Sequence, residues 1–189
     1  RILMAVLAAG SSKRFGKKDK LAQPFRGRLL GEHVCANAPV DRIAQGCALI
    51  ITANKDHPCR AGWEKAGFQI ALNARAEDGM GTSVALAAIL AQKARCDAVL
   101  IALADMPLVP RAHFDGLIDS ARTRGACWAS DTGAARTPPA IFGQSHFAEL
   151  ARLNEDTGAR ALLKNARAVS CPPQWLEDID TPEALARLS

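Results

Sequence analysis

The sequence predicts an open α/β fold, a mostly parallel sheet with helices on both faces, and three observations lead there. Strand-length runs at residues 2–9, 47–52 and 97–103 are apolar at almost every position, the pattern of parallel strands buried on both faces. These runs alternate with stretches of helical periodicity, as successive βαβ units require. The composition is 49% hydrophobic and 23% charged over 189 residues, which suits one globular domain spanning 1–189 and excludes a disordered or collagenous chain.

The elements follow in order. Residues 2–9 read as the first strand, ending in Gly10-Ser11-Ser12. Residues 29–38 read as a helix, 47–52 as the second strand, 56–66 as a helix and 68–72 as a shorter strand. The clearest helix is 79–94: Val84, Leu86, Ala87, Ile89 and Leu90 share an apolar face, and Thr82 or Ser83 stands near its start. A continuous apolar strand at 97–103 breaks at Met106-Pro107, before a helix over 111–124. The remainder is less regular: a strand at 125–130, an irregular Thr137-Pro138-Pro139, helices near 145–153 and 157–164, and a strand at 168–171. No repeat, long polar linker or compositional break divides the chain.

The net charge of +5 is local. Residues 1–28 carry eight Lys and Arg against the single acid Asp19, leaving the rest at −2. A nucleic-acid binder spreads basic residues along a face with aromatics between them. Here one short cluster, with no Tyr in the chain, fits a compact polyanion such as a nucleoside triphosphate, and no nucleic-acid partner is expected. No apolar run reaches the roughly 18 residues of a membrane span, so no membrane partner is expected either. Cys35, Cys47, Cys59, Cys96, Cys127 and Cys171 form no C-x-x-C pair, so they read as free buried thiols of a cytoplasmic protein. Arg1-Ile2-Leu3-Met4 run straight into a strand, without the charged, apolar and cleavage-site order of a secretory leader.

Three motifs carry chemistry. The first is Leu7-Ala8-Ala9-Gly10-Ser11-Ser12-Lys13-Arg14, continuing to Asp19-Lys20-Leu21. Small residues directly after a strand let backbone N–H groups approach an anion, and Arg14 and Lys20 add full charges. The spacing matches neither the P-loop nor the dinucleotide fingerprint, and an ordinary turn with a solvated basic run would look alike. The second is Asp105, within Leu103-Ala104-Asp105-Met106-Pro107. It stands at the carboxyl end of an apolar strand, where open sheets form their ligand crevice; a turn or cap would also suit it. The third is Asp178-Ile179-Asp180-Thr181-Pro182-Glu183. Two carboxylates at i and i+2 on an extended segment face one side, and the same stretch makes a good helix start. Asn73, the run Gly79 to Ser83, and Arg160 are weaker candidates. The four histidines show neither a triad order nor a metal spacing.

Taken together, LAAGSSKRFG-KKDKL, N-x5-GMGTS, LADMP, TPPAIFG, EDTGAR and DIDTPEAL resemble the motifs of the MobA-like nucleotidyltransferases of the molybdenum cofactor branch. They stand in family order along nearly the whole chain, from Ile2 to about Arg187. The resemblance implies a Rossmann-like, doubly wound fold of the nucleotide-diphospho-sugar transferase type. It implies a nucleotide-binding half at about 1–110 and an acceptor-binding half at about 111–189. The implied reaction moves a nucleotidyl group to a phosphorylated acceptor, with Mg²⁺, and releases pyrophosphate.

By position, Leu7, Ala8, Ala9, Gly10, Ser11, Ser12 and Arg14 would cradle the nucleotide, and Lys20 would neutralise charge on the pyrophosphate. Asn73, Gly79 and Ser83 would lie near base and ribose. Asp105, with Asp180 or Asp178, would hold the metal, and Pro139 and Arg160 would serve the acceptor. Ala8-Ala9-Gly10 is similar to the cytidylyl members, whereas the Gly16 to Lys20 spacing is similar to the guanylyl ones. The implied donor is CTP and the implied acceptor molybdopterin, with a molybdoenzyme as the implied client. Guanylyl transfer to molybdopterin, cytidylyl transfer to methylerythritol phosphate and a non-catalytic carrier are the alternatives.

Overall fold

The computed structural model describes residues 1–10, 15, 18–122, 126–154 and 158–189, with the side chains of 158 and 159 excepted. Its strands and helices follow in this order: β1 (Ile2–Leu7), β2 (Pro24–Phe25), β3 (Arg28–Leu29), α1 (His33–Ala36), β4 (Ala48–Thr52), α2 (Arg60–Lys65), β5 (Gln69–Leu72) and α3 (Met80–Lys93). The second part holds β6 (Ala98–Leu103), α4 (Arg111–Ser120), β7 (Cys127–Asp131), β8 (Arg136–Gly143), α5 (Phe147–Leu150), α6 (Gly158–Lys164), β9 (Arg167–Ser170) and α7 (Pro182–Leu188).

Seven strands form one sheet in the order β5-β4-β1-β6-β8-β7-β9. The pairs β5–β4, β4–β1, β1–β6 and β7–β9 are parallel. Only β8 runs against its neighbours β6 and β7. The chain walks outward from β1 through β4 to β5, then returns past β1 to β6 on its other side. With right-handed crossovers, the helices of these two walks lie on opposite faces, which is the α/β arrangement expected from the sequence. The reversal between β1 and β6 opens a crevice at their carboxyl ends.

The central strands are buried along almost their whole length, among them Met4, Val6, Ile50, Ile51, Val99 and Leu100. Such strands must be covered on both faces, and α3 covers one of them against β1, β4 and β6. Its buried Ala85, Ala87, Ala88 and Ala91 let the helix lie close to the sheet.

Two stretches differ from expectation. Residues 29–38 are not one helix: Pro24–Phe25 and Arg28–Leu29 make a hairpin, a 3-10 turn follows at Leu30–Glu32, and the α-helix is only His33–Ala36. Arg26 and Gly27 at the hairpin tip both have positive φ, 44° and 85°, which a two-residue turn between right-twisted strands demands. The irregular Thr137-Pro138-Pro139 lies inside strand β8. Prolines argue against an inner strand because they donate nothing to the ladder. Here the β7–β8 register shifts between Ala129 and Ser130, leaving Pro138 and Pro139 as additional residues opposite that step. A bulge needs no N–H there.

Leu100 is fully buried in β6, paired with Met4 on one side and Ile141 on the other. Leu100→Ala should lower stability by about 2–5 kcal/mol, the usual range for a core truncation. A thermal melt should show Tm falling by roughly 5–15 °C for a chain of this size.

Candidate active site

A cleft of about 830 Å³ lies over the carboxyl ends of β1, β4, β5 and β6. At its centre β1 runs out: Ala8 donates its N–H to Ile51 at 2.8 Å, and the Leu7 carbonyl accepts from Ala104 at 3.1 Å. Leu7, Ala8, Ala9 and Gly10 line the floor. A Cβ built on Gly10 would meet nothing within 4 Å, so this turn faces open space. Ser11, Ser12 and Arg14 lie outside the described residues.

Three carboxylates and one ammonium group occupy the β6 side. The carboxylates of Asp105, Asp178 and Asp180 offer oxygens that all lie within 4.8 Å of one another. Asp105 sits just past β6 because that strand ends at Leu103. Its backbone carbonyl accepts the Ile179 N–H at 2.9 Å, which draws the 178–180 segment alongside. Ile179 is fully buried in a small cluster with Phe15, Phe25 and Leu30. With the middle residue turned inward, extended geometry turns Asp178 and Asp180 towards the cleft. Neither is consumed as a helix cap: Thr181 caps α7, its Oγ1 accepting from Ala184 N–H at 3.1 Å.

Lys20 reaches the carboxylates from a 3-10 turn whose first N–H groups are capped by Asp19. Its Nζ donates to Asp105 Oδ2 at 2.7 Å and to Asp180 Oδ1 at 2.6 Å. Burial disfavours the ammonium ion, but the charges and hydrogen bonds of Asp105 and Asp180 outweigh that cost and raise its pKa. Asp178 moves the other way: burial, a hydrogen bond with Asp180 and the charges of Asp180 and Asp105 push its carboxyl up to about 6. Asp105 Oδ1 is buried without a hydrogen-bond partner among the described residues. A dense all-oxygen set with an unsatisfied buried oxygen fits a hard divalent cation.

The far end of the cleft lies beyond β4 and β5, where Ala53, Ala76, Glu77, Gly79, Met80 and Ser83 line it. Gly79 has φ 119°, a conformation that L side chains rarely adopt, and it opens α3 directly onto the cleft. Asn73 is placed differently. It is buried behind this wall, donating from Nδ2 to Thr82 Oγ1 and Ser83 Oγ, both at 2.9 Å. Its Oδ1 accepts from Arg75 N–H. Asn73 thus shapes the loop while Ser83 reaches the cleft.

Of the positions singled out in the sequence, the cleft brings together Leu7, Ala8, Ala9, Gly10, Lys20, Gly79, Ser83, Asp105, Asp178 and Asp180. Pro139 and Arg160 are not among its lining residues. Pro139 is buried in the β8 bulge, where its carbonyl accepts from Ser130 Oγ at 2.6 Å, and Arg160 is exposed on α6. Ala53, Ala76 and Glu77 also line the cleft and are named in none of the sequence motifs, while Leu21, Met80 and Leu103 stand within those motifs without an assigned role. Ala53 and Leu103 could have been found by applying the strand-end rule to every strand.

A family model described as MobA-like NTP transferase domain matches residues 4–170. Purine catabolism protein PucB of Bacillus subtilis is 31% identical over 94% of this chain and 90% of its own length. Nicotine blue oxidoreductase of Paenarthrobacter nicotinovorans is 28% identical over 97% and 94%. Among solved structures, Rv0371c of Mycobacterium tuberculosis superposes with a TM-score of 0.78 at 24% identity, covering 99% of this chain and 96% of that one. The same protein has also been solved as a complex with manganese, with a TM-score of 0.69 to this chain at 22% identity and coverage of 99% and 97%.

A cation sharing the oxygens that hold Lys20 would sit a few ångströms from its ammonium group, a repulsion on the order of several kcal/mol even at a protein dielectric near 20. Lys20→Met should therefore tighten divalent cation binding in nucleotide-free protein by about tenfold or more, read by calorimetric titration with Mn²⁺; unchanged affinity would mean that Lys20 does not compete for the site. Asp178 binds its proton more readily folded than unfolded, so its ionisation opposes folding as pH rises from the ordinary 3.8 through about 6. Asp178→Asn should accordingly raise the Tm of metal-free protein at pH 7.5, and the gain should shrink to nothing as the pH falls towards about 4.

Proposed function

We propose that this chain, which belongs to the MobA-like NTP transferase family, transfers CMP from CTP to a phosphorylated acceptor, molybdopterin, and releases pyrophosphate. That it is a nucleotidyltransferase follows from the family itself; the nucleotide, the acceptor and Mg²⁺ as the metal are our reading. The observation that carries it is the meeting of Lys20, Asp105, Asp178 and Asp180 with the small-residue turn Ala8-Ala9-Gly10 in one cleft. A triphosphate needs a backbone that comes close, a cation at the phosphates, and carboxylates for a metal. These groups are set side by side where the strand order reverses.

In the proposed reaction an acceptor phosphate oxygen attacks the α-phosphorus in line. The bond from that phosphorus to the bridging oxygen breaks, and pyrophosphate leaves. No covalent enzyme nucleophile is needed, so positioning and charge stabilisation carry the rate. Asp105 and Asp180, with Asp178 beside them, would hold Mg²⁺, which when bound neutralises charge on phosphate oxygens. Lys20 would release its carboxylates and turn to the departing pyrophosphate. Ser11, Ser12 and Arg14 would complete the triphosphate cradle. Gly79 and Ser83 would flank base and ribose, with Asn73 holding their loop in shape. Pro139 and Arg160 would belong to the acceptor half, and a molybdoenzyme would receive the product.

CTP is preferred because Ala8-Ala9-Gly10 resembles the cytidylyl members at the turn nearest the expected base pocket. The compartment we propose is the cytoplasm, with five of the six cysteines buried and all free. No helix among the described residues is long and apolar enough to cross a membrane.

Thermal stabilisation by CTP, GTP, ATP and UTP in the presence of Mg²⁺ tests the nucleotide, because a ligand of the native state raises apparent stability. A CTP-selective shift is expected, with Asp105→Ala abolishing pyrophosphate release by about a hundredfold or more while the protein stays folded. A GTP-selective shift would turn the reading to guanylyl transfer. Absence of pyrophosphate with every nucleotide and molybdopterin together would favour a carrier.

A further inference from the structure

Lys20 stands on a turn whose two flanking residues are both held by one distant segment. His57 Nε2 lies 2.7 Å from Asp19 Oδ2, on the residue before Lys20. Cys59 Sγ donates to the Leu21 carbonyl at 3.2 Å, on the residue after it. The proton on His57 can be placed by elimination. Its Nδ1 accepts the Cys59 backbone N–H at 3.0 Å, so the neutral ring carries its hydrogen on Nε2 and donates it to Asp19. That hydrogen bond is also the main reason the Asp19 carboxyl sits below the usual carboxylate range.

The histidine is itself fixed. It is buried and stacked on Trp63 with ring centroids 4.7 Å apart and planes 26° from parallel. Trp63 is fully buried, and its Nε1 donates to the Gly31 carbonyl at 2.8 Å. Asp19 has its second oxygen engaged as the cap, accepting from Leu21 N–H at 3.0 Å. An unbroken line of contacts therefore runs from the core at Trp63 through His57 to Asp19, and Asp19 sets the backbone from which Lys20 extends to Asp105 and Asp180.

We propose that His57 is a positioning residue for the nucleotidyl transfer, acting through Asp19 to fix the turn that presents Lys20 to the carboxylate cluster and to the phosphates. The functional half rests on the reading of Lys20 as the pyrophosphate partner. His57 touches no reacting atom and lies outside the residues lining the cleft. Holding the backbone from which a long lysine extends limits the positions its ammonium group reaches and leaves less loop ordering to be done on binding, and this is what the imidazole N–H provides through Asp19.

His57→Phe keeps a ring to stack on Trp63 and removes the N–H, whereas His57→Gln restores a donor near the Nε2 position. Two readouts separate the claims. The first is the acetylation rate of Lys20 by acetic anhydride in metal-free protein, scored by peptide mass spectrometry against the exposed Lys55 and Lys65. It should rise at least severalfold in His57→Phe and return towards wild type in His57→Gln. Asp19→Asn, which keeps an oxygen for the cap but turns an amide donor to the imidazole N–H, should behave like His57→Phe and serves in its place if the Phe variant does not fold. The second readout is the affinity for Mg²⁺-pyrophosphate, the product whatever the base or acceptor. His57→Phe should weaken it severalfold in wild type and not at all in Lys20→Met, the mark of two residues acting as one unit. Unchanged Lys20 acetylation in folded variants, or an equal loss of affinity in both backgrounds, would overturn the proposal. Faster acetylation with pyrophosphate affinity indifferent to Lys20→Met would uphold the positioning of Lys20 and overturn its assignment to pyrophosphate.

Discussion

Three carboxylates within 4.8 Å of one another cannot all stay ionised without a cation among them, and here that cation is the Lys20 ammonium group. The rest of the site is organised around this balance. Asp105 is delivered by the end of a central strand, Asp180 by a segment hydrogen-bonded to Asp105's own backbone, and Lys20 by a capped turn. Burial, a hydrogen bond with Asp180 and the repulsion left over after pairing push the Asp178 carboxyl up to about 6. A like-charged group of this kind costs stability in the folded chain, and it is tolerated where a divalent cation is to be received.

The fold makes that balance possible by keeping its supports rigid. The three inner parallel strands β4, β1 and β6 are buried along almost their whole length, so the turns at their carboxyl ends start from fixed points. Ile179 does the same for the acidic pair. Its side chain is locked between Phe15, Phe25 and Leu30, and the two flanking carboxylates have little choice of direction.

Much of this was legible in the sequence, and the reasons are local. Lys20 stood out by charge concentration, Asp105 by its position after an apolar run, and Asp178 and Asp180 by their period of two. The alternation of apolar runs with helical stretches pointed to the α/β sheet. What escaped depends on contacts between distant residues. Prolines at 138 and 139 argued against a strand, and only the register step opposite them makes β8 acceptable. The 29–38 stretch has apolar spacing that a helix and a hairpin followed by a short helix can both satisfy. Asn73 turns away from the cleft because Thr82 and Ser83 capture its amide, a choice no spacing announces. The pairing of His57 with Asp19 links residues far apart with no pattern between them.

The bond from Ile179 N–H to the Asp105 carbonyl has a consequence for the order in which the molecule comes into being. Asp105 and Lys20 leave the ribosome long before Asp178 and Asp180 do. A nascent chain can therefore build the inner strands, the Lys20 turn and the β4–β5 end of the cleft while still lacking two of its three acidic groups. Competence arrives late, when the segment carrying Ile179 emerges and docks. Interrupted synthesis, or trimming back past residue 178, would leave Lys20 and Asp105 without Asp178, Asp180 and the buried Ile179 between them, so possession of the complete acidic cluster certifies that translation has run through this segment.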